Sequence, residues 1–339
     1  MTNLQAKPRQ VLTVLAPAKL NLSLQILGKR EDNYHEISTV FQSVDLCDSL
    51  HFTFSPADKG HLEIRLHEGT ACDDFPLDDS NIIKKAAAVF YKAAPAPRPL
   101  KVTVLVRKNI PLGAGLAGGS ANAAATLLAL NRYGGDRLAF NKLMDLAAHI
   151  GSDVPFSLAG GTCLGEGRGE ILTTLALQAP LVFILIKPRA LSVSTAWAYD
   201  AYDRAQSSLG ANSATLQDMR QELIACLKNN DVVGAAKRFS NSFEPVVFER
   251  YPVLRAIKER LIALGCLCAQ MTGSGPTIYG LAKDLVQAKK VLAGIKEDQS
   301  KASNEPWYKD YGFEADAWLV QSISYGIKVI EDEESRRKN

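Results

Sequence analysis

The run PLGAGLAGGSAN, Pro111 to Asn122, has the composition of an anion cradle. Its glycines permit backbone conformations that turn several N–H groups toward one point, and they let that backbone approach a phosphate closely. A helix starting at the end of the run adds the positive end of its dipole, typically about 0.3–1 kcal/mol. Ser120, at the helix mouth, can offer a hydroxyl to a phosphate or to Mg²⁺. No lysine stands where a Walker loop needs one, and Asp136 and Asp145 fall at indifferent distances for a dinucleotide fingerprint. A glycine-rich turn that merely packs a helix against a sheet satisfies the same pattern.

Three further segments carry chemistry. In APAKLNLSL, Lys19 and Asn21 share one side of a strand whose apolar neighbours point the other way. A lysine among core residues is costly to bury unless it meets an anion; the alternative is an edge lysine snorkelling to water. In HIGSDVPFSLAGG, Gly151 ends a helix and Asp153 precedes a Val-Pro pair that should hold the chain extended. A carboxylate fixed at such a corner can take a proton from an attacking hydroxyl, or it can cap the next segment. His149 reads as surface or core filler. In MTGSGPTIYG, Gly273, Ser274 and Gly275 lie between two strands, as another close approach to phosphates or to the first loop, or as a hairpin turn.

The elements that must position these groups follow from periodicity. Alternation and β-branching predict strands at Val11–Leu15, Leu20–Leu27, Ile37–Val44, Ser49–Phe54, His61–Leu66 and Val102–Val106. The strands before the glycine run read as antiparallel. Glu68 to Asp79 is a turn-rich loop, Asn81 to Ala93 a helix, and AAPAPRP its stop. Helices follow at Ser120–Asn131 and Leu138–Ile150, then a buried strand at Leu181–Ile186. Two amphipathic stripes come next: Leu216, Met219, Leu223, Leu227, and Leu254, Ile257, Leu261. The chain closes with strands Cys268–Met271 and Thr277–Leu281, helix Leu285–Ala293, strand Ala317–Ile323 and a mixed-charge tail, EDEESRRKN, expected to fray. This is an α+β chain in two halves with a boundary near residue 180.

Composition excludes several classes. The 339 residues are 47% hydrophobic and 22% charged, ordinary globular values for two domains. Lys plus Arg number 39 against 36 acids, and a surplus of +3 does not argue for nucleic acid or an anionic membrane as partner. No apolar run approaches the roughly 18 residues of a membrane span, and MTNLQAKPRQ has no signal-peptide core. It is short for a transit peptide, although a processed precursor would look the same. Six scattered cysteines without metal spacing suit a reducing, cytoplasmic compartment, with no obligate protein partner evident.

Taken together, Lys19 with Asn21, Pro111–Asn122, Asp153 and Gly273–Gly275 occur in the order and spacing of the galactokinase–homoserine kinase–mevalonate kinase–phosphomevalonate kinase (GHMP) superfamily. AKLNLSLQILGKREDNYHEISTVFQSVDL, GSDVP and LGAGLAGGS resemble closely the branch of the non-mevalonate isoprenoid pathway whose acceptor is a cytidine-diphosphate-linked methylerythritol. The resemblance runs from about Ala16 to Leu281 and leaves Lys296 to Asn339 without a role. It implies a two-domain fold: residues 11–178 with a mixed β-sheet, helices, phosphate loop and catalytic groups, and a ferredoxin-like α/β domain over 179–330 completing the cleft. It implies ATP, with Mg²⁺, as phosphoryl donor and the acceptor's 2-hydroxyl as target, and a cytoplasmic location, or the plastid stroma if the source is a plant or alga.

By that analogy Asp153 is the general base and also touches substrate, and Lys19 steadies its carboxylate and the developing charge. Pro111, Gly113, Ala114, Gly115, Leu116, Ala117, Gly118, Gly119 and Ser120 cradle the phosphates, Ser120 also toward the metal, while Asn81 and Lys108 lie near the adenine. Tyr34 and His35 match a cytosine-reading segment, with Tyr199 as the opposite aromatic face and Asn21, Gly273 and Ser274 on the acceptor. Two residues depart from the pattern. Asn33 and Ala117 stand where glycine is usual; asparagine tolerates positive φ, and alanine tightens the pocket slightly.

Overall fold

The computed structural model describes residues 10–330 apart from 71, 73, 97–98, 207–212 and 301–313. The C-terminal EDEESRRKN and the side chain of Leu216 therefore lie outside the described residues.

Two long strands, β1 (Gln10–Lys29) and β2 (His35–Pro56), form an antiparallel ribbon, where the periodicity suggested four shorter ones. The bulges explain the interruption. Register shifts at Pro17/Ala18, Asn21/Ser23 and Ile26/Gly28 break the alternation, and a proline is tolerated at such a bulge. The first also separates two cores. Val14 and Ala16 pack beneath the helices of the N-terminal half, whereas Ala18, Leu20 and Leu22 pack toward the second sheet.

Then come β3 (His61–Leu66), α1 (Ile82–Ala93), β4 (Leu100–Arg107), α2 (Gly118–Tyr133), α3 (Phe140–Ile150), α4 (Val154–Ala159), β5 (Thr162–Glu166) and β6 (Ile171–Leu175). The β3–β4 pair is parallel, correcting the expectation of wholly antiparallel strands before the glycine run; α1 lies between β3 and β4 in the chain. Helices α1 to α4 bury Ile83, Phe90, Leu127, Leu143 and Val154 against this sheet.

The remainder is β7 (Val182–Pro188), α5 (Thr195–Gln206), α6 (Ser213–Lys228), α7 (Val232–Ala236), β8 (Ser240–Asn241), α8 (Glu244–Arg250), α9 (Pro252–Ala263), β9 (Cys268–Met271), β10 (Ile278–Ala282), α10 (Leu285–Ser300), β11 (Ala315–Gln321) and β12 (Lys328–Ile330). The second sheet has the all-antiparallel order β11-β7-β10-β9, the ferredoxin-like arrangement. β7 is buried on both faces, hence its unbroken apolar run. Ile184 and Ile186 meet α8, α9 and α10, while Phe183 and Leu185 meet Leu20 and Leu22 of β1. The interface between the sheets is thus a hydrophobic core. β8 and β12 return to pair with β1, so the first sheet is completed by chain from the second half.

Candidate active site

One cavity of about 810 Å³ lies where β1, the glycine run, α5 and the β9–β10 turn converge. Its floor is Lys19. Flanked by Ala18 and Leu20, which face the inter-sheet core, the lysine points the other way and is only 5% exposed. Its Nζ donates to Asn21 Oδ1 at 2.7 Å and stands 3.8 Å from Asp153 Oδ2. Burial lowers the lysine's pKa, and the Asp153 carboxylate works against that shift.

Asp153 occupies the N-cap position of α4, yet its side chain makes no capping hydrogen bond and is a third exposed. The carboxylate therefore faces Lys19 rather than the helix. The Val-Pro pair expected to hold the chain extended instead forms the first turn of α4. Proline fits there because its missing N–H would have had no helical acceptor.

Asn21 is the junction of the site. Its Oδ1 accepts from Lys19 Nζ and from the Gly273 N–H at 2.9 Å, its Nδ2 donates to Thr39 Oγ1 at 2.8 Å, and its carbonyl accepts from the Tyr279 hydroxyl at 2.9 Å. Asn241 holds the turn from the other side, donating to the carbonyls of Met271 and Gly273. The supporting residues Thr39, Asn241 and Tyr279 carry no sequence signal; they are recognisable only once the strands are paired.

The glycine run leaves β4 and enters α2 through left-handed backbone at Gly113, Gly115 and Ala117. Ala117, φ 55°, is the N-cap of α2 and offers no side-chain cap, and no acid stands in the first turn. The first N–H groups of α2 thus have no intrahelical acceptor, and Gly118, Gly119 and Ser120 line the cavity. That is the donor set for a polyphosphate. The Lys19 N–H donates to the Leu116 carbonyl at 3.1 Å, tying the loop to β1. Pro111, Ala114 and Leu116 complete the lining.

The two glycine segments meet at Gly115. A Cβ there would lie 2.3 Å from the Thr272 carbonyl and 3.0 Å from that of Gly275, at φ +75°. Gly273, φ +57°, faces the Gly115 carbonyl in return. The β9–β10 turn is therefore a hairpin connection and a brace for the phosphate loop at once. Ser274 lines the cavity and bonds Thr195 Oγ1 at 2.9 Å. A Gly115→Ala variant should lose about 2 kcal/mol or more of unfolding free energy, from left-handed alanine alone about 1–2 kcal/mol. A denaturant titration checks it; an unchanged midpoint would mean the turns separate freely.

At the far end, the β1–β2 turn passes through Asn33 at φ 65° and presents Tyr34, 54% exposed, and His35, buried. Tyr199 lines the same cavity as Tyr34. Its ring stacks on His35 with centroids 4.4 Å apart and planes at 16°, and its edge meets Phe243. The group over Tyr34 is the Arg168 guanidinium, 4.8 Å from the ring centroid, from the β5–β6 turn that the periodicity missed. His35 Nε2 bonds Asp203 Oδ1 at 2.7 Å, and Lys29 Nζ bonds the other oxygen at 3.1 Å. Partial burial pushes the Asp203 carboxyl up, but these two bonds outweigh it and hold it below its ordinary value.

Asn81 has a structural duty of its own. It does not line the cavity; its Oδ1 caps α1 at Ile83 N–H and its Nδ2 donates to the Pro76 carbonyl, the usual work of an N-cap asparagine. Lys108 does line the cavity, but its ammonium is already paired with Asp48 at 2.8 Å, both side chains being buried. Asp48 Oδ1 also accepts from the N–H groups of Asn109 and Ile110, so the pair anchors the approach to the loop.

This fold, with a glycine cradle at a helix mouth, is that of the GHMP kinases. The family model for the GHMP kinases N terminal domain matches residues 81–161, and that for the GHMP kinases C terminal matches 219–301. A homoserine kinase from Cytophaga hutchinsonii shares the fold, with a TM-score of 0.75 at 20% identity over 97% of this chain and 99% of that one. A crystal structure of 4-(cytidine 5'-diphospho)-2C-methyl-D-erythritol kinase is 30% identical, with a TM-score of 0.68 over 91% of this chain and 98% of that one. The 4-diphosphocytidyl-2-C-methyl-D-erythritol kinase of Synechococcus sp. (strain JA-3-3Ab) is 37% identical over 97% of this chain and 99% of its own length. That of Pelotomaculum thermopropionicum is 41% identical over 84% and 93%. The chain belongs to the 4-diphosphocytidyl-2-C-methyl-D-erythritol kinase family.

Proposed function

We propose that the protein transfers the γ-phosphoryl group of ATP to the 2-hydroxyl of 4-diphosphocytidyl-2-C-methyl-D-erythritol, yielding the 2-phosphate and ADP, in the non-mevalonate route to isopentenyl diphosphate. The observation that carries this reading is the Lys19 ammonium 3.8 Å from the Asp153 carboxylate, beside the uncapped mouth of α2. A phosphoryl-transfer site needs a base for the attacking hydroxyl and fixed positive charge for the moving group, and little else.

In this reading residues 11–178 carry the phosphate loop, Lys19 and Asp153, and residues 179–330 close the cleft. Asp153 takes the acceptor's hydroxyl proton as its oxygen bonds to the γ-phosphorus and the bond from phosphorus to the bridging oxygen of ADP breaks. Lys19 holds the Asp153 carboxylate in place and offsets the charge that gathers on the transferring oxygens. The first N–H groups of α2 and the Gly113–Ser120 backbone hold the polyphosphate in line. Asn21, through Gly273, keeps the β9–β10 turn against the loop, so Ser274 stands at the acceptor. Tyr34 and His35 engage the cytosine ring.

Mg²⁺ supplies charge neutralisation on the phosphate oxygens when bound. Among the described residues no three His, Cys, Asp or Glu side chains group into a metal cluster. Ser120, which lines the cavity at the mouth of α2, would offer the ion a hydroxyl oxygen, while the loop's backbone N–H groups would hold the phosphates. No described helix is long and apolar enough to cross a membrane, and no disulfide forms among the described residues. A small-molecule acceptor and a cytoplasmic setting suit those facts.

An ADP-release assay tests the reading. Turnover should appear with the diphosphocytidyl-methylerythritol acceptor and not with mevalonate or homoserine. Turnover with either of those alone would move the protein to another branch of the superfamily, and no turnover with any would leave a silent nucleotide binder.

A further inference from the structure

We propose that Asp203 is a positioning residue that makes the His35 imidazole a hydrogen-bond acceptor, and so lets the site tell cytosine from uracil. The inference rests on the assignment of Tyr34–His35 to the base. An ionised carboxylate can only accept, so the 2.7 Å contact between Asp203 Oδ1 and His35 Nε2 places the ring hydrogen on Nε2. The second oxygen of Asp203 receives Lys29 Nζ at 3.1 Å, which keeps the carboxylate in the accepting state. In the neutral ring Nδ1 then carries a lone pair. Nδ1 has no hydrogen-bond partner among the described residues, and His35 lines the cavity.

The grip comes from one helix face. Tyr199 and Asp203 are four residues apart on α5, so both side chains reach the same neighbour. Tyr199 fixes the plane of the His35 ring by stacking, and Asp203 fixes its hydrogen. Among the described residues the other ionisable side chains in this part of the cavity, Asp200 and Arg168, make no hydrogen bond or ion pair with the imidazole, and Arg168 is drawn to Tyr34 and Glu170. Cytosine presents an exocyclic amino donor where uracil presents a carbonyl acceptor. An accepting Nδ1 satisfies the first and meets the second lone pair to lone pair.

The test is titration of CDP and of UDP into the full chain, unaltered and as Asp203→Asn. The asparagine is isosteric, but its carboxamide can offer Nε2 either a donor or an acceptor, so the tautomer is released. The native protein should prefer CDP by about tenfold or more, the effect of leaving one buried polar group unmatched. The variant should lose most of that ratio while its ATP affinity and thermal midpoint stay put. A variant that retains the native CDP-to-UDP ratio, whether or not both affinities fall, overturns the role of Asp203. A native protein that binds the two equally overturns the cytosine reading itself, and this inference with it. If the variant does not fold, ¹⁵N spectra of His35 in the native protein decide: a neutral ring protonated at Nε2 supports the proposal, and one protonated at Nδ1 ends it.

Discussion

An Asp153→Asn variant should bind ATP within about twofold of the native protein while kcat falls by about 10²–10⁴, the usual contribution of a positioned base. The substitution is close to isosteric and leaves the scaffold little to lose. The carboxylate caps nothing, it is a third exposed, and its pairing with Lys19 is a 3.8 Å contact. A partly exposed pair of that kind contributes of order 1 kcal/mol at most to stability. Nor does Asp153 support the α2 mouth, which is built from backbone of the glycine run and braced by Gly273. Steady-state ADP release and an ATP titration, run side by side, separate the two effects. Unchanged turnover would remove Asp153 as the base, and a matched loss of ATP affinity would recast it as part of the nucleotide pocket.

How much of this was readable from the chain depends on whether a residue's oddity is local. Lys19 and Asn21 stood out because polar groups interrupt an apolar alternation, and burial of a lysine demands an anion. The two-sheet α+β fold was legible in the same way: β7 is apolar from Val182 to Ile186, and the helical stripes of α9 keep their spacing. Four strands merged into two because the irregularity at Pro17/Ala18, which face Cys47 and Val44, breaks the pattern of both strands without ending the ladder. The β5–β6 hairpin was missed because TCLGE and ILTTL are short and separated by a glycine-arginine-glycine turn that reads as loop. Asp203 sits in a helix of modest apolar content, and nothing before folding sets it apart from Asp200. Asn81 carries a structural duty that its match to a family position does not announce, the capping of α1.

Lys19→Met should lower kcat by about 10²–10³, the scale of removing one preorganised electrostatic donor, and change the ATP dissociation constant by less than about tenfold. Methionine keeps most of the length and packing against Phe41, whose ring centroid lies 5.5 Å from Nζ. The variant leaves no buried charge unmatched, because Asp153 retains its contact with solvent and Asn21 Oδ1 still accepts from the Gly273 N–H. Removing a desolvated ammonium is then neutral or mildly stabilising, and the thermal midpoint should not fall. Arginine should not rescue turnover: its planar fork does not fit a site shaped for a compact ammonium between Asn21 and Asp153. The decisive measurement is the Lys19→Met, Asp153→Asn double variant. If the two side chains act as one unit on the attacking oxygen, the double variant should be about as slow as the slower single one, since residues that work as a unit are strongly non-additive. Losses that multiply would mean that Lys19 acts on the phosphates independently of the base, and a rise in the ATP dissociation constant with kcat intact would reduce it to a phosphate clamp.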